Sequence, residues 1–200
     1  MDKEKALHSE NKEFFDNLSS VYDPFLGNWQ RGVHRRAISK IGLPVNKNVK
    51  ILDVGCGTGN LLAILERESR AELYGIDLSE KMLKKARNKL NLAYLKIGNA
   101  ENLKFKDKSF DYVFSVDAFH HYSNQWKAMH EFYRVLKNGG KLMIVDLSFG
   151  KMFNKIFQRI EPGNTGIHTP VDIGIIMQKL FSEVKTYRLG IFTFGSLGKK

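Results

Sequence analysis

Two hundred residues, 42% of them hydrophobic, suffice for one domain with its own core and are too few for two. Thirty-two Lys and Arg against 21 Asp and Glu leave a net charge of +11 and an isoelectric point near 9.6. No apolar run is long enough to cross a bilayer, the opening MDKEKALHSENKEFF is too polar for a secretory signal, and the one cysteine, Cys56, excludes an internal disulfide and a multi-thiolate zinc site. A cytoplasmic protein without membrane insertion is expected.

In chain order, Glu10 to Leu18 carries apolar residues at helical spacing, and Tyr22-Asp23-Pro24 interrupts the pattern. A second helix is predicted from Val33 to Ile41, ended by Pro44. Strands and helices then alternate: strand 49–54, helix 59–68, strand 72–77, helix 79–90, strand 92–97, strand 110–116, helix 124–136 and strand 140–147. Short apolar strands interleaved with amphipathic helices predict a parallel sheet covered on both faces. Ser79 is a candidate N-cap, and Gly139-Gly140 a candidate helix stop. Phe149, Met152, Phe153, Ile156, Phe157 and Ile160 suggest an amphipathic helix before the loop at Glu161–Gly166. A helix near 170–180 and strands 183–189 and 191–197 follow. Only Gly190 separates the last two strands, so they must be antiparallel neighbours.

The first strand ends in Asp53-Val-Gly-Cys-Gly-Thr-Gly-Asn60. Gly55 and Gly57 permit tight curvature and close approach of a ligand, and Gly59 permits close helix packing. The dinucleotide fingerprint needs a glycine where Asn60 stands, and Asp53 would repel a pyrophosphate while attracting an ammonium. The amides opening the next helix favour a carboxylate, so turn and acid together suit the amino-acid end of a zwitterion. Asp77, at the end of the second strand, is spaced to take both hydroxyls of a ribose. After the third strand, Asn99 can pair with an adenine amino group, and Leu78 can lie against the ring. An amino acid, a ribose and an adenine without phosphate describe S-adenosylmethionine.

ILDVGCGTGNLL, LYGIDLSEKMLKKAR, GNAENLKFKDKSFDYVFSVDAFHHYSN and RVLKNGGKLMIVDL, in this order and spacing, resemble the class I S-adenosylmethionine-dependent methyltransferases of the type-11 family. The N-terminal FFDNLSSVYDPF and HRR resemble the ubiquinone/menaquinone-biosynthesis C-methyltransferases. The resemblance implies a Rossmann-like α/β fold: a seven-stranded, mostly parallel sheet with helices on both faces and an antiparallel strand near the C-terminus. The cofactor contacts it implies are Asp53, Gly55, Gly57, Asp77, Leu78, Asn99, Ala100 and Ser115. Most members carry Asp where this chain has Asn99, and Pro where it has Asn138. The chain is accordingly divided into an N-terminal helical lid (1–44), a cofactor-binding core (45–147), an acceptor-side insertion (148–170) and a closing helix with a hairpin (171–200).

Methyl transfer is an in-line displacement for which positioning and desolvation supply much of the rate, so few catalytic residues are required. His121 ranks first among candidate bases, followed by His120 and by Tyr22 in the lid; packing roles for all three are at least as well supported by the residues alone. Adjacent histidines diverge along most backbones, so no metal is expected. Cys56 reads as a turn filler, which argues against 5-methylcytosine chemistry. The leading reading is an enzyme methylating a small, apolar or aromatic metabolite. The alternatives are an enzyme acting on RNA or protein, supported by the +11 charge alone, and a non-catalytic cofactor-binding protein. The basic residues are dispersed at helical and loop spacing, so a nucleic-acid partner is not favoured; the sequence is silent on oligomeric state.

Overall fold

Tyr22–Ile41 forms one continuous helix, α1, in the computed structural model, which describes residues 9, 10, 13, 16, 22–44, 48–148 and 169–200, without the side chains of 22–29. The sequence predicts a break at Tyr22-Asp23-Pro24. Pro24 instead falls in the first turn of α1, where a missing N–H leaves no helical hydrogen bond unmade. Most of the helix expected at Glu10 to Leu18, and the helix and loop expected within 149–168, lie outside the described residues.

Seven strands form one sheet: β1 (Lys50–Val54), β2 (Glu72–Asp77), β3 (Tyr94–Ile97), β4 (Phe110–Val116), β5 (Leu136–Leu147), β6 (Ser182–Arg188) and β7 (Thr193–Lys199). Their order is β3-β2-β1-β4-β5-β7-β6. The first five pair in parallel, whereas β7 runs antiparallel to both β5 and β6. This is the mostly parallel Rossmann-like sheet that the alternation of elements and the resemblance predict. Helices α2 (Asn60–Glu68), α3 (Glu80–Lys89), α4 (Gln125–Val135) and α5 (Pro170–Gln178), with a short 3₁₀ turn at Phe119–His121, complete the described elements.

Two boundaries differ from the sequence reading for a non-local reason. Helix α4 ends at Val135 and β5 starts at once, because Leu136 pairs with Phe110 before a register shift. Gly139 and Gly140 sit inside β5, where Gly139 N–H donates to the Lys200 carbonyl and Lys200 N–H donates to that of Gly140. The glycines therefore accommodate the far end of the chain and do not stop a helix. Ser79, by contrast, caps α3 as predicted, its Oγ accepting from Met82 N–H at 3.1 Å.

Apolar side chains cover both sheet faces. On one, Ile51, Phe114 and Met143 pack with Val33, Ala37 and Ile41 of α1 and with Leu62, Leu65 and Leu83. On the other, Phe110, Leu142 and Ile144 pack with Met129 and Phe132 of α4 and with Ile173 and Met177 of α5. Among the described residues no helix is long and apolar enough to cross a membrane. The strand order reverses between β1 and β4, which opens a crevice at the carboxyl edge of the sheet.

Gly75, in the middle of β2, lets α2 settle on the strand: a Cβ there would lie 2.7 Å from Leu95 Cδ2, 2.8 Å from Leu62 Cδ1 and 2.9 Å from Cys56 Sγ. Gly75→Ala is therefore expected to cost about 1–3 kcal/mol of unfolding free energy through overpacking. Urea denaturation would measure it, and an unchanged midpoint would show that this contact is not tight.

Candidate cofactor cleft

The carboxyl ends of β1 to β4 converge on one cleft, and the glycine turn after β1 forms its floor. Gly55 takes a φ of +74°, and a Cβ there would sit 2.5 Å from Ala118 Cβ and 3.2 Å from Tyr122 Oη, so only glycine fits. Its N–H and that of Cys56 both donate to the Ile76 carbonyl, which fastens the turn to β2. Gly57 also has positive φ, at +52°, but no heavy atom lies within 4 Å of where its Cβ would be. That space belongs to the cleft.

Two carboxylates face this floor. Asp53 is buried, and its Oδ1 has no hydrogen-bond partner among the described residues. Burial, with the charge of Asp77 added, pushes its carboxyl up to about 8. Asp77 Oδ2 accepts from Gly57 N–H at 2.8 Å and its Oδ1 accepts from Ser79 N–H at 2.9 Å, so this side chain ties the glycine turn to the start of α3. Burial also raises the Asp77 carboxyl, with the two amides pulling the other way. Each Asp77 oxygen retains lone-pair capacity for a further donor from the cleft side.

The remaining expected contacts separate by position. Leu78, Asn99 and Ala100 line the cleft, with Asn99 Oδ1 accepting from Glu101 N–H at 2.8 Å and so shaping the turn after β3. Ser115 does not line it. Its hydroxyl is fully buried against Tyr122 Oη at 2.9 Å, and Tyr122 in turn donates to the Val54 carbonyl. Tyr122, seven residues after Ser115, thus stands in front of the serine and presents the wall instead. Cys56 lines the cleft with a thiol that burial pushes well above its usual range, which suits a filler and not a nucleophile.

The histidines also part. His121 lines the cleft, whereas His120 is buried behind it with Nδ1 2.5 Å from Asp146 Oδ1 at the end of β5. Their rings lie 4.1 Å apart, so the Asp146–His120 pair backs His121 from the protein side. Tyr22 is the first residue of α1, and its side chain is not among those described.

Helix α1 contributes two side chains that its sequence did not single out. Gln30 and His34, four residues apart on one helical face, line the cleft from above. Gln30 Nε2 donates to Asp117 Oδ2 at 3.3 Å, and its Oε1 accepts from Asn60 Nδ2 at 3.4 Å. Lys89 Nζ holds Asn60 Oδ1 at 2.5 Å. Asn60, the residue that breaks the dinucleotide fingerprint, therefore links α1 to α2 and α3. His34 is held neutral, its pKa lowered to about 4 by burial and by Lys89. Asp117 and Glu101 add two further acids to the lining, Glu101 accepting from Ser123 Oγ and Asn124 N–H. The chain carries 32 Lys and Arg, yet none lies among the described residues lining the cleft.

These features fit S-adenosylmethionine. The shielded Asp53 suits an ammonium, Asp77 suits a pair of hydroxyl donors, and the open space over Gly57 admits the backbone approach that an amino-acid moiety needs. A phosphate oxygen about 4 Å from an ionised carboxylate would instead cost about 4 kcal/mol at an effective dielectric of 20.

Comparison with known proteins agrees. A family model described as a methyltransferase domain matches residues 52–144. A demethylmenaquinone methyltransferase of Thermotoga maritima is 34% identical over 137 residues, covering 66% of this chain and 59% of that protein, so the chain spans less than two thirds of this relative. A demethylmenaquinone methyltransferase of Listeria welshimeri is 32% identical over 176 residues, covering 80% of this chain and 72% of the relative. A solved Thermotoga maritima structure, described as a S-adenosylmethionine-dependent methyltransferase and possible histamine N-methyltransferase, superposes with a TM-score of 0.77 at 23% identity over 94% of this chain and 99% of that one.

Protonation provides a direct test of Asp53. Its folded pKa of about 8 lies above the 3.8 of an unperturbed Asp, so in the unliganded protein stability falls as pH rises from about 4 to about 8. An ammonium beside it would ionise it, so binding S-adenosylmethionine at pH 7 is expected to release close to one proton from the protein, with affinity rising toward pH 8. Calorimetry in buffers of different ionisation enthalpy measures that proton. Asp53→Asn should abolish the release and weaken binding about tenfold, and release that persists in the variant would assign the proton elsewhere.

Proposed function

The chain belongs to the S-adenosylmethionine-dependent methyltransferases, and from that premise we propose that it methylates a small, apolar or aromatic metabolite. The observation that carries the proposal is the acidic cleft, whose described lining holds no lysine or arginine, in an otherwise basic chain. The names of the quinone-methylating relatives support the acceptor class, and the same cleft disfavours a phosphodiester chain such as RNA at the methyl donor's end. S-adenosylmethionine, when bound, supplies a methyl group on a sulfonium that a nucleophilic acceptor atom displaces in line.

The chain's own residues would do the rest. Asp53 and Asp77 hold and orient the donor, Gly55 and Gly57 allow the backbone to approach it, and α1, through Gln30 and His34, keeps water from the cleft. An acceptor that arrives protonated would have to give up its proton on methylation. His121, which lines the cleft beside the turn after β4, would receive it, and Asp146 with His120 would keep its ring in position.

Transfer of a labelled methyl group into a metabolite extract tests the reading, since a protein that only binds the donor leaves the extract unlabelled. Labelling of RNA or protein fractions instead would favour the other acceptor classes. With an acceptor in hand, His121→Ala is expected to lower kcat by about 10²-fold or more while donor affinity, read by calorimetry, changes less than threefold. Equal losses in both would make His121 a packing residue.

A further inference from the structure

The two edges of the sheet are built differently. β6 is guarded in the usual ways: exposed Glu183, Lys185 and Arg188 line it, a register shift interrupts its pairing between Ser182 and Lys185, and Lys199 pairs with Glu183 at 2.9 Å. β3, at the other edge, is less guarded: it is four residues long and carries one charged side chain, Lys96, and no register shift interrupts its pairing with β2. Leu92, just before it, is 72% exposed, and Tyr94 and Ile97 within it are 60% and 61% exposed. Among the described residues nothing pairs with its outer side. A short apolar edge of this kind is a template for another strand.

The charge around it states what kind of strand. Lys96 on β3 and Lys81 and Lys84 on α3, which packs against β3, are all exposed. The nearby acids are engaged: Glu66 accepts from Asn91 and Leu92 N–H, Glu72 pairs with Lys50, and Glu80 pairs with Arg87. Among the described residues the net charge at this edge is positive, since Glu66 leaves one negative charge against three lysines, which opposes a second copy of this basic chain and favours an acidic partner.

We propose that β3 is a docking edge for an acidic protein partner, which extends the sheet with a strand alternating apolar and acidic side chains. The apolar set covers Leu92 and Tyr94, which share one face of the edge, and the acidic set meets Lys81 and Lys84 on the opposite face, where α3 packs; Lys96 follows Tyr94 on the first face and Ile97 ends the second. β3 leads directly into Gly98 and Asn99 in the cleft wall, so a partner seated here also stiffens that wall.

The test needs no acceptor and no turnover, so it stands apart from the proposed reaction. The ¹⁵N-labelled full chain is titrated with a blocked peptide of four Glu-Val repeats and, separately, with one of four Lys-Val repeats. The acidic peptide is expected to shift and protect the amides of Leu92 to Ile97, to bind about tenfold more tightly than the basic one, and to weaken as salt is raised. Tyr94→Lys with Ile97→Lys should remove binding while the thermal melt is retained, and Lys96→Glu, which keeps the apolar side chains, should weaken it. Absence of binding, equal affinity for both peptides, shifts mapping elsewhere, or concentration-dependent shifts at β3 without peptide, which mark self-association, would each overturn the proposal.

Discussion

Two shielded carboxylates, with no lysine or arginine among the described residues that line the cleft beside them, set the character of this molecule's cleft. Asp53 holds an oxygen without a hydrogen-bond partner among the described residues, at a carboxyl pushed up to about 8. Asp77 spends its own oxygens on Gly57 and Ser79 N–H, and so converts a glycine loop into a fixed platform. The positive φ angles at Gly55, Gly57 and Gly59 serve that platform: one glycine admits Ala118 and Tyr122, one leaves open space, and one starts α2. A cation with hydroxyl groups relieves both acids, and a phosphate aggravates both.

Around that pair the carboxyl edge divides into two sides. One is built from β1, β2 and β3 and roofed by α1, with Gln30 joining Asp117 to Asn60 across the opening. The other begins after β4, where the chain turns through Asp117, at a φ of +50°, into the short 3₁₀ turn Phe119–His121. An aspartate in left-handed backbone is tolerated but uncommon, and here it re-aims the chain so that His121 meets the cleft while His120 reaches back to Asp146. Adjacent histidines thereby take different duties, one at the surface of the cleft and one in its support.

What was legible in the sequence follows contact range. Asp53, the three glycines and Asp77 lie within one βαβ unit, where spacing along the chain is nearly spacing in the fold, and the mostly parallel sheet follows from the alternation of elements, though its strand order does not. Ser115 stood at a position the family pattern marks, but Tyr122 folds back over it, a contact that no local spacing encodes. Gln30, His34 and Asp146 reach the site only because α1 crosses the sheet and β5 ends beside β4. Gly139 and Gly140 read as a helix stop because their partner, Lys200, lies far along the sequence, beyond the reach of local pattern. Pro24 was misread for a different reason: a proline opens a helix as readily as it ends one, and the difference depends on which side the helix lies.

The selection made by Asp53 and Asp77 is tested most directly by calorimetric comparison of three adenosine-bearing ligands, S-adenosylmethionine, ATP and NAD, at one pH and salt concentration. Preference for S-adenosylmethionine by about 10²-fold or more over both phosphate-bearing ligands is the expected result, corresponding to about 2.7 kcal/mol of discrimination. Comparable affinity for ATP or NAD would contradict it, and would mean that the acids do not govern what the cleft accepts.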